Sequence, residues 1–539
     1  MSQLNKKRKQ EDLSSTDGND ENIQEILFNE MTSVTDQLIS LCKKVKLADH
    51  RCFFNNGVMV NEFFGKVYSL LEEMNIHRRK VSSDQFNSDT LFHIYQFLDF
   101  TDLLQNCQPV SKLWKESLNR VKFHVSLGST NRNGKFNNEN LIHLLNGPFI
   151  QNVTSLRLGK AQLDAFKTLS TCKNLDNLIK LDLRFNNMAS QRVTYLTKCS
   201  MKNLTELSLH DVQNFTENEA KELFNSTFMS NVKKFNIVQE SYSDELFEAM
   251  SNSKHFSQLT HLELRQIAQG TKSELKLLLK DMSNLEYLGL RNHRLTNFSN
   301  LFTSGNLYNI THLDLSYCRM LNSEFANLIV SPKLPKLIKL KAQDFNWGNL
   351  EFFDKKNENS QVAHCPPNSQ SSLTDLDFQS CFITPFPTLT HHCPNLNRLS
   401  LRNSRKCPNK ELLRSSYITF LSAPSLCNLE FLDISGLECL ESLFEIIFTL
   451  PFYPNLRELK CSPSREGGET LQANLISNCS HLKNLRILDA YGVFASNECL
   501  KSLQTNPTFS NLSIVVLHGN LDLLRYWENN KYAEELEED

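Results

Sequence analysis

Apolar residues recur along most of this chain in one spacing, L-x-x-L-x-L, whose second and third positions alternate as on one face of a strand. The hexad begins at Val153, Leu178, Leu204, Val232, Leu259, Leu285, Ile310, Leu337, Leu373, Leu396, Leu429, Leu456, Leu485 and Leu512. These fourteen occurrences fall one per ~28 residues, the period of a stacked array of similar units. An asparagine usually stands just before the first position. Two intervals are longer, after Leu337 and after Leu396, and the first holds a polar insert at residues 354–371, expected as a loop. Between hexads the spacing turns helical, as in Ala220, Leu223 and Phe224, or Leu440, Leu443, Ile446 and Ile447. The pattern predicts a strand followed by a returning helix in each unit. One unit cannot bury its own leucines. Stacking makes a continuous core, worth about 1.5–3 kcal/mol per fully buried leucine before the entropy cost of ordering the chain.

Upstream the pattern differs. Residues 23–80 read as amphipathic helices: Ile23, Ile26, Leu27 and Met31; Leu38, Leu41, Cys42 and Val45; Phe63, Val67, Leu70, Leu71 and Met74. Their role is open between packing on a neighbour and dimerisation. Residues 84–120 read as three short helices. Leu91, Ile94, Tyr95 and Leu98 share a face, Asp102 caps a second helix with Leu103, Leu104 and Cys107, and Val110 and Trp114 define a third. Thirty residues make too small a core to stand alone, so this surface must be covered by a neighbour or a partner. Residues 121–151 are a connector and cap, with Phe123, Val125 and Leu127 alternating as in a half-buried strand. The polar stretches 1–22 and 526–539 are tails, and Lys6-Lys7-Arg8-Lys9 suits either a solvated tail or a nuclear import signal.

Charge and composition narrow the function. With 58 Lys+Arg against 60 Asp+Glu the net charge is -2, which excludes a protein that coats nucleic acid. An odd number of scattered cysteines, 15, gives no disulfide framework and points to a reducing compartment. The N-terminus lacks a secretory signal, and no window reaches the length of a membrane span, so the expected location is cytoplasmic or nuclear with no membrane partner. His364-Cys365 and His391-His392-Cys393 lack the paired spacing of a zinc site. The Gly128-to-Lys135 segment has one spacer too many for a phosphate loop, and Phe136 stands where a magnesium-binding hydroxyl belongs. No nucleophile–base pair follows from spacing, so no catalytic residue, metal or cofactor is expected, and the chain is not expected to be an enzyme.

The repeats resemble the leucine-rich-repeat family of the cysteine-containing, intracellular kind, as in Leu313-Asp-Leu-Ser-Tyr-Cys318 and His392-Cys-Pro-Asn-Leu396. The stretch FNSDTLFHIYQFLDFTDLLQNCQPVSKLWK, residues 86–115, resembles the F-box. Phe86 stands at the leucine and Asp89 at the glutamate of its Leu-Pro-x-Glu opening. Ile94 is the central apolar position, Phe97-Leu98 the Tyr-Leu pair, Asp102-Leu103 the Asp-Leu pair, and Val110 and Trp114 close the pattern; Asn87 replaces the usual proline. The resemblance implies an α/β fold: a leucine-rich-repeat solenoid (horseshoe) over residues 152–525, preceded by a small all-helical F-box at 84–120 and by N-terminal helices. It implies a substrate-recognition subunit of an SCF-type ubiquitin ligase. Phe86, Leu91, Ile94, Phe97, Leu98, Leu103, Leu104, Val110 and Trp114 would bind the Skp adaptor of a cullin-RING ligase. The concave face of the repeats would bind an unidentified target protein, with Arg184, Arg265, Tyr287, Arg291 and Arg402 as candidate contacts. On that face the column after the third apolar position is mainly basic or neutral. The column between the second and third, with Asp182, Glu263, Asp314, Asp377, Asp433 and Asp489, is mainly acidic. The competing expectation is a repeat scaffold with no ligase role, whose upstream helices only cap the array.

Overall fold

The computed structural model divides the chain into two compact units, Met1–His124 and Val125–Asp539. It describes residues 122–127, 138–159, 161–184, 186, 188, 190–210, 216–239, 244–266, 282–292, 307–318, 328–329, 331, 334–343, 371–380, 393–402, 410–437, 440–463 and 470–517. The expected helices at 23–80 and 84–120, both polar tails, residues 128–137 of an Asn/Gly-rich loop expected at 128–138, and residues 354–370 of the insert lie outside the described residues.

Every hexad forms a strand. After β1 (Phe123–Leu127) come β2 (Val153–Leu158), β3 (Lys180–Leu183), β4 (Glu206–His210), β5 (Lys234–Gln239), β6 (His261–Gln266) and β7 (Tyr287–Arg291). They continue as β8 (His312–Asp314), β9 (Lys339–Lys341), β10 (Asp375–Asp377), β11 (Arg398–Ser400), β12 (Phe431–Asp433) and β13 (Glu458–Lys460). The last are β14 (Thr470–Leu471), β15 (Ile487–Ala490), β16 (Phe494–Ala495) and β17 (Ile514–Leu517). Fifteen of these form one sheet in chain order, and β14 pairs with β16 in a separate two-stranded piece. Parallel pairing sets the second apolar positions side by side, from Leu156 beside Leu181 to Leu488 beside Val515. A slip of one residue would turn every leucine outward, so burial of one face fixes this register. The long intervals do not break it: β9 pairs directly with β10, and β11 with β12. One parallel strand per repeat over a stack of buried leucines is the architecture of a leucine-rich-repeat solenoid.

Return segments supply the other side of the core. Helices span Leu163–Thr171, Ser190–Thr197, Glu217–Phe224, Asp244–Ser251, Lys410–Leu421, Leu440–Thr449 and Asn497–Thr505, among others. Glu217–Phe224 starts where the Thr216 hydroxyl accepts the Glu219 N–H and the Glu219 carboxylate accepts the Thr216 N–H. Its buried end packs Phe224 edge-on against Phe235 and Phe256, with ring centroids 5.9 and 5.0 Å away.

The asparagine before the hexad has a role that only stacking reveals. Its amide donates to a backbone carbonyl of the preceding repeat: Asn177 to Gln151 (2.7 Å), Asn203 to Asp176 (2.7 Å), Asn231 to Lys202 (2.6 Å), Asn455 to Cys427 (3.0 Å) and Asn511 to Lys483 (2.8 Å). Where the asparagine is replaced, Gln258 reaches Ser230 and Ser372 reaches Pro335 in the same way. These bonds satisfy carbonyls at the turn into the strand, where no ladder partner exists.

Candidate functional site

The side of the sheet away from the leucines carries three columns of side chains. The first, just before the second apolar position, runs Lys180, Glu206, Lys234, His261, Tyr287, His312, Lys339 and Asp375 across β3 to β10. Neighbours pair by charge or stack. Glu206 lies 3.1 Å from Lys180 Nζ and 2.8 Å from Lys234 Nζ, and Lys339 Nζ lies 2.5 Å from Asp375. The His261 and Tyr287 rings stack with centroids 5.7 Å apart. The preceding threonine holds Nδ1 of each histidine, Thr260 at 2.9 Å from His261 and Thr311 at 2.8 Å from His312. Burial, then the charge of Lys234, pushes the His261 imidazole below its ordinary range.

The middle column is acidic as read from the sequence, but its acids lie at different depths, with Glu263, Asp377 and Asp489 half-buried. Asp182, Asp314 and Asp433 are buried. Each carboxylate folds onto its own chain and accepts the N–H two residues on: Arg184 (3.0 Å), Ser316 (2.9 Å) and Ser435 (3.0 Å). Asp377 does the same with Gln379 at 3.2 Å. Those N–H groups lie where the chain leaves the strand, and an unbonded buried donor costs about 1–3 kcal/mol. Aspartate in this place is therefore a turn bracket. Asp182 also receives the Arg184 guanidinium at 2.7–3.1 Å and lies 3.6 Å from Arg157 Nε. Burial opposes its charge, but the Arg184 and Arg157 contacts hold the carboxyl below the usual range. At Asp433 burial wins over the Ser435 N–H and the charges of Arg402 and Lys460, and the carboxyl is pushed up.

With the acids folded down, the cations stand above them. The Arg184 side chain is 37% exposed over Asp182 at 5%, and Lys341 is 30% exposed over Asp314 at 7%. The same order holds for Lys180 and Lys234 over Glu206, and for Lys339 over Asp375. In these pairs the positive group is the outer one, whereas Arg291 and Glu263 lie at equal depth, 23% and 24% exposed.

Gly289, in the middle column, is buried because the Glu263 and Tyr287 side chains close over it. A Cβ there would lie 3.0 Å from Glu263 Cγ and 3.2 Å from the Tyr287 hydroxyl. Arg291 crosses beside it, with Nη1 3.8 Å from Glu263, Nε 3.9 Å from Asp314, and the guanidinium carbon 5.7 Å from the Tyr317 ring centroid. Its buried Nε has no hydrogen-bond partner. Glu263 accepts from the Asn236 amide at 3.0 Å, and burial pushes its carboxyl up against the opposing charge of Arg291. Tyr317 is 43% exposed and has φ +64°, the left-handed region that a bulky side chain avoids. Its N–H donates to Gln343 O at 2.7 Å. The same place two residues beyond the third apolar position holds Asn292, Ser380, Gly436 and Gly492, all with positive φ.

Of the candidate target contacts, Arg265, Tyr287 and Arg291 come together on β6 and β7, with Arg265 registered beside Arg291. Arg184 and Arg402 are also on this side, three strands from β6 and four from β7, about 15–20 Å away at ~4.8 Å per strand. Sequence reasoning missed Gly289, Tyr317, His261, His312, Lys339 and Lys341. Aligning the repeats would have exposed Tyr317, because its counterparts include two glycines. The adaptor candidates Phe86, Leu91, Ile94, Phe97, Leu98, Leu103, Leu104, Val110 and Trp114 lie outside the described residues. Among the described residues, no cluster of His, Cys, Asp and Glu is arranged to hold a metal ion, and no helix is long and apolar enough to cross a membrane.

No protein-family model matches the sequence, and no curated protein matches it. The structure is similar to an internalin from Listeria monocytogenes at 12% identity and TM-score 0.32, over 77% of this chain and 94% of the other. It is similar to a leucine-rich-repeat protein from Leptospira interrogans at 18% identity and TM-score 0.33, over 68% and 90%. A chain in the yeast complex of Rad7 and Elc1 matches at 15% identity and TM-score 0.37, over 85% and 96%.

Proposed function

We propose that this chain is the substrate-recognition subunit of an SCF-type ubiquitin ligase. In this reading the helices of residues 84–120 dock on the Skp adaptor, and the solvent-facing side of the sheet holds the target. The observation that carries the second half is the face itself: its most exposed groups include Arg184, Arg265, His312 and Tyr317, and arginine and tyrosine are common anchors of protein interfaces. The first half is supported by the run from Phe86 to Trp114 and its likeness to the F-box. The chain does no chemistry of its own. It raises the concentration of the target beside a conjugating enzyme brought by the rest of the complex.

The test is co-purification of the adaptor with the full-length chain carrying Ile94→Asp and Leu98→Asp. Charges on that apolar face abolish adaptor recovery and leave the thermal melt of the repeats unchanged. Unchanged recovery overturns the ligase reading in favour of a repeat scaffold whose upstream helices only cap the array.

A further inference from the structure

The layering of charge on the sheet selects the chemistry of what can bind there. Along β6 to β9, Asp314 lies low and is committed to the Ser316 N–H, Glu263 is half-buried at the depth of Arg291, and Arg265, His312, Lys339 and Lys341 reach solvent. Arg291 is held at 3.8 and 3.9 Å from its two carboxylates, close enough to orient its fork and too far for hydrogen bonds, and its Nε has no acceptor. Nε itself is buried out of a ligand's reach, so an incoming carboxylate would pair with the terminal nitrogens of this oriented guanidinium. Tyr317 stands over this guanidinium in a backbone conformation that costs stability, and local strain of this kind concentrates at functional sites.

We propose that this patch binds an acidic segment of a partner protein, with carboxylates on Arg265, Arg291 and Lys341 and an apolar side chain of the segment against the Tyr317 ring. The proposal rests on the reading that the face holds a target, and adds the target's chemistry. A polyanionic nucleic acid is the less favoured occupant. It binds through a summed positive field, whereas here a carboxylate lies beneath most of the cations and the net charge of the chain is -2. What survives such cancellation is contact-range pairing.

The experiment is fluorescence anisotropy on the full chain with labelled polyglutamate, a glycine–serine peptide of equal length and polyuridylate RNA as probes. Polyglutamate binds, binding weakens as salt rises, the glycine–serine peptide does not bind, and the RNA binds more weakly than polyglutamate. Arg265→Glu with Lys341→Glu lowers polyglutamate affinity roughly ten-fold or more. Lys202→Glu, whose native partner Asp176 is in a turn outside the sheet face, leaves it unchanged. No polyglutamate binding, equal binding by the charge-reversed chain, or tighter binding of RNA overturns the proposal. Gly289→Trp separates this failure from that of the underlying reading. A side chain there must push aside Glu263 and Tyr287, which close over the glycine, so the thermal melt of this variant is compared with that of the wild-type chain. If polyglutamate fails but Gly289→Trp still strips partners recovered with the wild-type chain from cells, the face holds a target by other chemistry. If Gly289→Trp keeps every partner, the face reading fails as well.

Discussion

Tyr317 occupies a left-handed position that its counterparts Gly436 and Gly492 adopt without a Cβ in the way. Tyr317→Gly is therefore expected to raise stability by about 1 kcal/mol, the relief of a strained side chain less the entropy of the new glycine, read as increased hydrogen-exchange protection of β7 to β9. It is also expected to weaken polyglutamate binding, and a variant that gains protection and binds as tightly as before would remove the ring from the interface. Asp182 works the other way, as a bracket for its own turn. Asp182→Ala strands the Arg184 N–H and is expected to cost about 2 kcal/mol at neutral pH. The native carboxyl sits below its unfolded value of 3.8. Its contribution is therefore complete above that value and fades as pH falls through the folded one. Urea denaturation of wild type and variant should differ most at neutral pH, and the difference should shrink as pH falls below 3.8. At Asp433 the sign reverses: its folded carboxyl is raised, so ionising it opposes folding, and acid relieves that cost. The two aspartates look alike in sequence, and only their neighbours distinguish them.

The strand of each repeat was readable in advance because a two-residue alternation of leucines has one way to bury both. Leu432 lies between Leu399 and Leu459 and is fully buried. Leu432→Ala is expected to cost about 2–5 kcal/mol. Each repeat touches only its neighbours, so the loss of hydrogen-exchange protection should centre on β11 to β13. An even loss along the whole array would mean that the repeats unfold as one unit. The asparagines were visible as a regularity, yet their purpose was not, because the acceptor is a carbonyl a full repeat earlier. Asn455→Ala removes the bond to Cys427 and is expected to cost about 0.5–1 kcal/mol, small because the site is exposed. The strand character of Phe123 and Val125 was equally legible, and both are buried in β1.

Across the whole molecule the two proposed contacts should be separable. Ile94→Asp with Leu98→Asp is expected to lose the adaptor and keep polyglutamate binding, and Arg265→Glu with Lys341→Glu to do the reverse. Loss of both in either variant, measured by co-purification and anisotropy on the same preparations, would mean that the contacts are not independent. The strand of every hexad and the leucines that fill the core behind it were contained in the order of amino acids, because alternation and spacing act over a few neighbours; the short β14 and β16, in return segments read as helical, were not. The sign of the outer surface was not. Counted along the chain, the face balances acid against base. Folded, the short aspartates turn down to bracket backbone N–H groups and the long lysines and arginines rise over them. Height above a sheet depends on what lies in the next strand, and in a stacked array that strand is a full repeat away.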